Sequence, residues 1–186
     1  LDLSSTTLSS VEVIAGNAVA NTITVNQADL LSGGTVEGAG ATDTLVLVTS
    51  ETTLDLSSTT LSSVEVILGN ANANTITVDQ ADLLSGGTVD GGAASDTLAL
   101  ATGGATLDLS STTLTSVEVI AGNAVANTIT VNQSDLLSGG TVDGGTATDT
   151  LALATGDAAL DLSSTTLSSV EVIAGNAVAN TITVNQ

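Results

Sequence analysis

The chain contains no lysine, arginine or histidine, and it also lacks cysteine, proline, methionine and every aromatic residue. Without cationic side chains it cannot neutralise a phosphate backbone, so we expect no binding to nucleic acid. Without cysteine, no disulfide bond can stabilise the fold. Without aromatic residues, the core must be built from Leu, Val, Ile and Ala. This composition favours a thin core, one side chain deep, with walls made of strands.

The residues that are present make the chain acidic and moderately hydrophobic. Asp and Glu together number 20, the formal net charge is −20, and 42% of the residues are hydrophobic. That hydrophobic content argues against a disordered acidic tail. No apolar run reaches the length of about 18 residues that a membrane-spanning helix needs, so we expect no membrane insertion. Solvent, salt or bound cations must relieve the repulsion between the carboxylates, and Ca²⁺ prefers such oxygen ligands.

A repeat of 53 residues organises the sequence from residue 1 to residue 186. Its copies begin at Leu1, Leu54, Leu107 and Leu160, which gives units 1–53, 54–106 and 107–159 and a partial unit 160–186. Such periodicity is typical of one continuous repeat array. An array also repeats any chemistry that it carries. Carboxylates are the only acid–base side chains here and no pair of them is unique, so we expect no enzymatic activity.

Short segments with alternating apolar and polar residues predict strands. In the first unit they are Leu1–Leu3, Val11–Val13, Thr22–Val25, Thr35–Glu37 and Thr44–Leu47. They are too closely spaced for helices between them, which favours an all-β, right-handed parallel β-solenoid. A weaker internal match aligns residues 16–23 with residues 38–45. Such a match supports a chain that is wound into successive coils, each with a turn followed by a strand. Coils of about 18 or about 26 residues would both nearly divide the repeat, and tandem β-sandwich modules are the competing architecture.

One segment of each unit carries a recognisable motif. Residues Gly91 to Leu98 follow the calcium-binding pattern G-G-x-G-x-D-x-U-x except for Ala94 at the third glycine, and residues 144–151 and 38–45 are close variants. At these positions the chain resembles the repeats-in-toxin (hemolysin-type) calcium-binding repeat family of secreted bacterial proteins, which includes giant adhesins and surface-layer-like proteins. The resemblance implies Ca²⁺ bound by aspartates and turn carbonyls, here Asp43, Asp96, Asp149, Gly38, Gly91 and Gly144. The alternative is that these segments are Asx turns without an ion.

These observations predict a structural role outside the cell. We expect a segment of a secreted bacterial surface protein, such as an adhesin stalk, a biofilm matrix fibre or a surface-layer component. Its partner would be itself, either end to end or within a longer array. The alternative is a solenoid that binds ice or glycan, because Thr22 and Thr24 recur as a Thr-x-Thr pair; one pair per sequence repeat is sparse for that purpose. We expect Asp2 and Glu12 to point to solvent.

Overall fold

The computed structural model, which describes residues 1–185, is an all-β solenoid of parallel strands with about eight turns. This confirms the fold class expected from the alternating segments. Helical structure in the described residues is confined to three short 3-10 turns, Gln27–Asp29, Gln80–Asp82 and Gln133–Asp135. Strands dominate because each turn of the chain places β-branched and aliphatic residues on one buried face.

The strands are short, three to five residues each. In chain order they are β1 (Val13–Asn17), β2 (Thr22–Val25), β3 (Thr35–Ala39), β4 (Thr44–Leu47), β5 (Thr53–Asp55), β6 (Thr60–Ser62), β7 (Val66–Asn70), β8 (Thr75–Val78), β9 (Thr88–Gly92), β10 (Thr97–Leu100), β11 (Thr106–Asp108), β12 (Thr113–Thr115), β13 (Val119–Asn123), β14 (Thr128–Val131), β15 (Thr141–Gly145), β16 (Thr150–Leu153), β17 (Ala159–Asp161), β18 (Thr166–Ser168), β19 (Val172–Ala174) and β20 (Thr181–Thr183).

The register between stacked strands fixes the length of a turn. Thr22 pairs with Thr44 and Thr44 pairs with Val66, so a turn is about 22 residues long. Some steps are longer, since Thr88 pairs with Thr113. The weak match between residues 16–23 and 38–45 therefore reflects the structural period. Both predicted coil lengths, 18 and 26, are wrong, because the winding does not divide the sequence repeat evenly.

Because the turns of the solenoid do not divide the sequence repeat evenly, no sheet in residues 1–185 runs along the whole length of the solenoid. The chain forms five parallel sheets in its described part: sheet 1 (β1, β3, β6), sheet 2 (β2, β4, β7, β9, β12), sheet 3 (β5, β8, β10, β13, β15, β18), sheet 4 (β11, β14, β16, β19) and sheet 5 (β17, β20). Sheet 3, for example, begins at β5 and ends at β18. Sheets thus begin and end along the solenoid, so strand edges occur inside it as well as at its ends.

The core lies between the sheets and is purely aliphatic. In sheet 3 the second residue of each strand from β5 to β15 is buried, namely Leu54, Ile76, Leu98, Ile120 and Val142. A second inward column changes along the sheet, from Leu100 in β10 to Gly122 in β13 and Gly144 in β15. The glycines make room for Asn127 and Asp149, which precede strands of the neighbouring sheet and whose side chains lie against them. This change of side-chain size places polar residues at the inner corner of the solenoid.

Candidate functional site: two rows of buried aspartates

The first row lies at the corner where one sheet meets the next, and we call its members the corner aspartates. They are Asp43, Asp96 and Asp149, each immediately before a strand. Their exposed fractions are 0%, 1% and 1%. Carboxylates are almost never so deeply buried unless they are paired. The chain has no cationic side chain with which to pair them.

Each corner aspartate is hydrogen-bonded to both neighbouring coils, to one through its carboxylate and to the other through its own N–H. In the second unit, Asn74 donates its N–H to Asp96 Oδ1 at 2.6 Å, and Asp96 donates its own N–H to Glu118 Oε2 at 2.7 Å. The other units repeat this ladder across three successive coils. Glu118 is consequently half-buried, whereas the expectation for Glu12 and its equivalents was exposure to solvent; only Glu12 itself and Glu171 are exposed. The glutamates connect one coil to the next.

The second carboxylate oxygen of each corner aspartate has no hydrogen-bond partner. It lies against a glycine: a Cβ at Gly91 would meet Asp96 Oδ2 at 2.7 Å and would also collide with the Ser116 carbonyl oxygen. Burial raises the pKa of Asp96, with smaller contributions from the nearby charges of Glu118 and Asp90, while the hydrogen bond from Asn74 opposes the rise. A buried, partnerless oxygen makes the charged form of this carboxyl unfavourable.

The corner aspartates do not lie next to one another on successive coils. Asp43, Asp96 and Asp149 precede strands of three different sheets, and the adjacent coils carry Asn and Glu at the same place. The predicted carbonyl ligands Gly38, Gly91 and Gly144 lie within strands rather than in turns, and their carbonyl oxygens are directed toward glycines of the preceding coil. Residues 1–185 hold no group of three or more acidic residues that could bind a metal.

The second row lies in the 3-10 turns, and we call its members the turn aspartates. They are Asp29, Asp82 and Asp135, with exposed fractions of 2%, 5% and 3%. Asp82 Oδ2 accepts the N–H of Asp79 at 2.8 Å, which closes the turn. The sequence analysis did not identify these aspartates as buried. The identical Gln-x-Asp spacing at all three turns was the available signal.

The second and third turns each lie between the end of one sheet and the beginning of another. In the second unit, the carboxyl of Asp82 lies beside the backbone N–H of Leu61 in β6, the last strand of sheet 1. From the same turn, the amide of Gln80 both donates to the carbonyl oxygen and accepts from the N–H of Asp108 in β11, the first strand of sheet 4. The turn therefore covers the two strand edges that face it.

The charges of Asp82 and Asp135 are unfavourable in the folded chain. Burial raises the pKa of Asp82 from an ordinary value of 3.8 to about 6, and the neighbouring carboxylate of Asp79 adds to the rise. Burial likewise raises the pKa of Asp135 to about 6, with Asp157 as the contributing charge. Hydrogen bonds to backbone N–H groups favour the anion in both cases, but desolvation outweighs them.

Small hollows accompany the turn aspartates. Asp82, Glu65 and Thr112 line a hollow of about 10 Å³, and its equivalent beside Asp29 includes Thr59, whose buried hydroxyl has no partner. A volume of this size admits one water molecule at most. The same small hollow thus recurs beside each 3-10 turn. Two wider hollows, of about 600 and 480 Å³, lie toward the C-terminal end of the described chain, one beside Gln133 and Asp157 and one beside Leu162 and Val184.

The outward surface of sheet 3 carries a column of threonines that sequence reasoning underestimated. The first residues of its strands are Thr53, Thr75, Thr97, Val119, Thr141 and Thr166, stacked in register. Threonine therefore occupies this column in all but one coil rather than once per sequence repeat, because one turn is much shorter than the repeat. The parallel column two residues further is irregular: Asp55, Thr77, Ala99, Ala121, Asp143 and Ser168.

Comparison with models of known protein families, with curated proteins and with solved structures finds no match. Nor does any helix in the described part of the chain have the length and apolar character to cross a membrane. The geometry of the chain itself is therefore the basis for a functional proposal.

Proposed function

We propose that this chain is a structural repeat segment of a secreted bacterial surface protein, such as an adhesin stalk, a matrix fibre or a surface-layer component. The observation that carries the proposal is the recurrence of every feature: corner ladders, 3-10 turns and hollows appear in successive units with the same partners. A solenoid that repeats its interior in this way is suited to spanning distance, since length grows with the number of units while the structure of each stays the same.

The charge distribution supports a role in solution as a single rod. With 20 acidic side chains and no basic ones, the sides of two solenoids repel each other. The axial ends differ in their open strand edges; aliphatic residues are exposed there, such as Leu1 at 59% and Val184 at 49%, although some are also exposed along the sides, such as Val125 at 41%. An exposed strand edge with apolar residues favours the addition of another coil. We propose that further coils, from the same array or from a second copy, stack there.

Electron microscopy of the purified segment tests the structural role. The proposal expects straight, thin rods that lengthen with the number of units and, at high concentration, join end to end. Immunolabelling of intact cells that express the parent protein tests the location, and labelling at the outer surface is the expected result. A protein confined to the cell interior, or a flexible chain without rod shape, contradicts the proposal.

Calcium binding is still a prediction of the family resemblance. A corner aspartate offers one free oxygen, whereas Ca²⁺ takes six to eight oxygen ligands, so the folded corner is an incomplete site. If the corner aspartates bind Ca²⁺, chelation lowers the unfolding temperature and Asp96→Asn reduces that effect. Melting that responds only to ionic strength identifies these residues as turn-forming residues without an ion.

A second candidate function is binding to ice or a crystalline glycan, and the threonine column of sheet 3 favours it. Hydroxyl and methyl groups repeat there at the strand spacing of about 4.8 Å. The irregular second column, with Asp55 and Asp143, makes the surface less uniform. Thermal hysteresis that disappears in the variant Thr75→Asp with Thr97→Asp would establish this function. The absence of hysteresis and of glycan binding leaves the structural role.

A further inference from the structure

We propose that the turn aspartates Asp82 and Asp135 are proton-binding sites that strengthen the solenoid when its surroundings become mildly acidic. A buried carboxylate must be paired with a cation, coordinate a metal or take up a proton. The chain has no Lys, Arg or His, so pairing with a side chain is impossible. A hollow of about 10 Å³ beside Asp82 has no space for a hydrated ion. A proton is the counter-charge that fits.

Every titratable group that faces these two carboxyls is itself acidic. Asp79 lies at the start of the same turn as Asp82. Glu65, the residue before β7, lines the hollow beside Asp82. Around Asp135 the corresponding groups are Asp157 and Glu118. Negative neighbours favour the neutral form of a carboxyl, so the surroundings add to the effect of burial.

The hollow also offers oxygen atoms to a protonated carboxyl. Thr112 lines the hollow of Asp82, and Thr165 lines that of Asp135; their exposed fractions are 4% and 6%. Proton uptake comes from solvent and forms one O–H bond on the carboxyl, with no other bond changed. The other oxygen still accepts the backbone N–H that closes the turn, from Asp79 or from Asn132. Protonation therefore removes the buried charge while the turn stays closed.

The sign of the effect follows from the direction of the pKa shifts. The folded chain holds these protons up to a pH of about 6, whereas the unfolded chain releases them near 3.8. The folded state binds more protons in that interval, so stability falls as pH rises from 3.8 to about 6 and is regained on acidification. A surface fibre with this property becomes firmer as its medium changes from neutral to mildly acidic.

The experiment is a thermal unfolding series between pH 7.5 and pH 4.5 at high salt, which screens the exposed carboxylates. The wild-type chain is compared with the double variant Asp82→Asn, Asp135→Asn. We expect the unfolding temperature of the wild type to rise by several degrees on acidification, and that of the double variant to change much less. The matched control is Asp2→Asn, Asp161→Asn, which removes the same charge at exposed positions where hydrogen bonds from Ser4 and Ser163 lower the pKa. It should retain the wild-type rise.

A second measurement does not depend on the stability of a variant. Carbon-13 titration of the wild-type carboxyl groups should show resonances with apparent pKa near 6 that vanish in the double variant. The proposal fails if no carboxyl titrates above about 5, or if the double variant keeps the full acid stabilisation. It also fails if added Ca²⁺ at neutral pH raises the unfolding temperature of the wild type but not of the double variant, since a metal is then the counter-charge.

Discussion

The corner aspartates and the turn aspartates are both buried and lack a cation, yet their surroundings differ in one respect. Each corner carboxyl has one oxygen that accepts an N–H and one that has no partner. In the turn, by contrast, both oxygens of Asp29 accept backbone N–H groups, one from Leu8 and one from Asn26. Burial alone therefore does not define the role of a carboxyl. The corner position fills space beside a glycine, and the turn position connects strand edges.

The strongest effect of a substitution should occur at a turn. Asp29→Ala leaves the N–H groups of Asn26 and Leu8 without their acceptor, and each unpaired donor costs about 1–3 kcal/mol. We expect a loss of about 3 kcal/mol in the free energy of unfolding, measured by urea denaturation. Asp55→Ala, which removes a half-exposed acceptor for the N–H of Ser57, is the control and should cost under about 1 kcal/mol. Equal losses in the two variants would remove the special role of the turn.

The next effect is at a corner and comes from its glycine. Gly91→Ala places a methyl group against Asp96 and the Ser116 carbonyl, which forces neighbouring coils apart. Overpacking of this kind costs about 1–3 kcal/mol. Gly40→Ala is the control, since its nearest neighbour would be 3.7 Å away and its backbone is not left-handed. If Gly91→Ala melts at the wild-type temperature, the corner is looser than the structure indicates.

A smaller effect, a gain in stability instead of a loss, tests the carboxylate oxygen of Asp96 that has no hydrogen-bond partner. Asp96→Asn keeps one oxygen to accept the N–H of Asn74 and replaces the partnerless oxygen by a donor beside the Ser116 carbonyl. Because an uncompensated buried charge is removed, we expect an increase of about 1 kcal/mol in the free energy of unfolding at neutral pH. The gain should shrink below the raised pKa of Asp96, where the wild-type carboxyl is also neutral. A marked loss of stability would show that the anion itself is required.

The smallest expected loss of stability comes from Gln80, the residue of the turn that contacts β11. Gln80→Ala removes the amide that pairs with the N–H and carbonyl of Asp108 on the free edge of β11. This edge is partly exposed, so water replaces much of the lost pairing and we expect a cost of about 1 kcal/mol. Hydrogen exchange should report faster exchange at Asp108, while the amides in the middle of sheet 3 stay protected. Unchanged exchange at Asp108 would contradict the edge-capping role of Gln80.

Sequence reasoning succeeded where the pattern was local. Thr22–Val25 and Thr44–Leu47 were predicted with the bounds that the structure shows, because β-branched alternation is a strong signal. It failed at Val11 and Glu12, which lie outside β1, and it missed β6 at Thr60–Ser62, whose short run carries little periodicity. The aspartates of the corner were identified as candidates through their motif, whereas those of the turn were not, because the repeated Gln-x-Asp spacing does not by itself show that an aspartate is buried.

The amino-acid sequence alone indicates the all-β class of the structure, since the lack of aromatic residues, the aliphatic alternation and the near-identical repeats favour thin, stacked, parallel strands over tandem β-sandwich modules. It also excludes a cationic partner for any buried carboxylate. Only the wound chain shows that residues stacked on adjacent coils are about 22 positions apart. This register determines which residues become neighbours. That register joins Asn74, Asp96 and Glu118 into one ladder and places Asp82 between two sheets. It does so because contacts in a solenoid run along its axis, between residues that are one full turn apart in the chain.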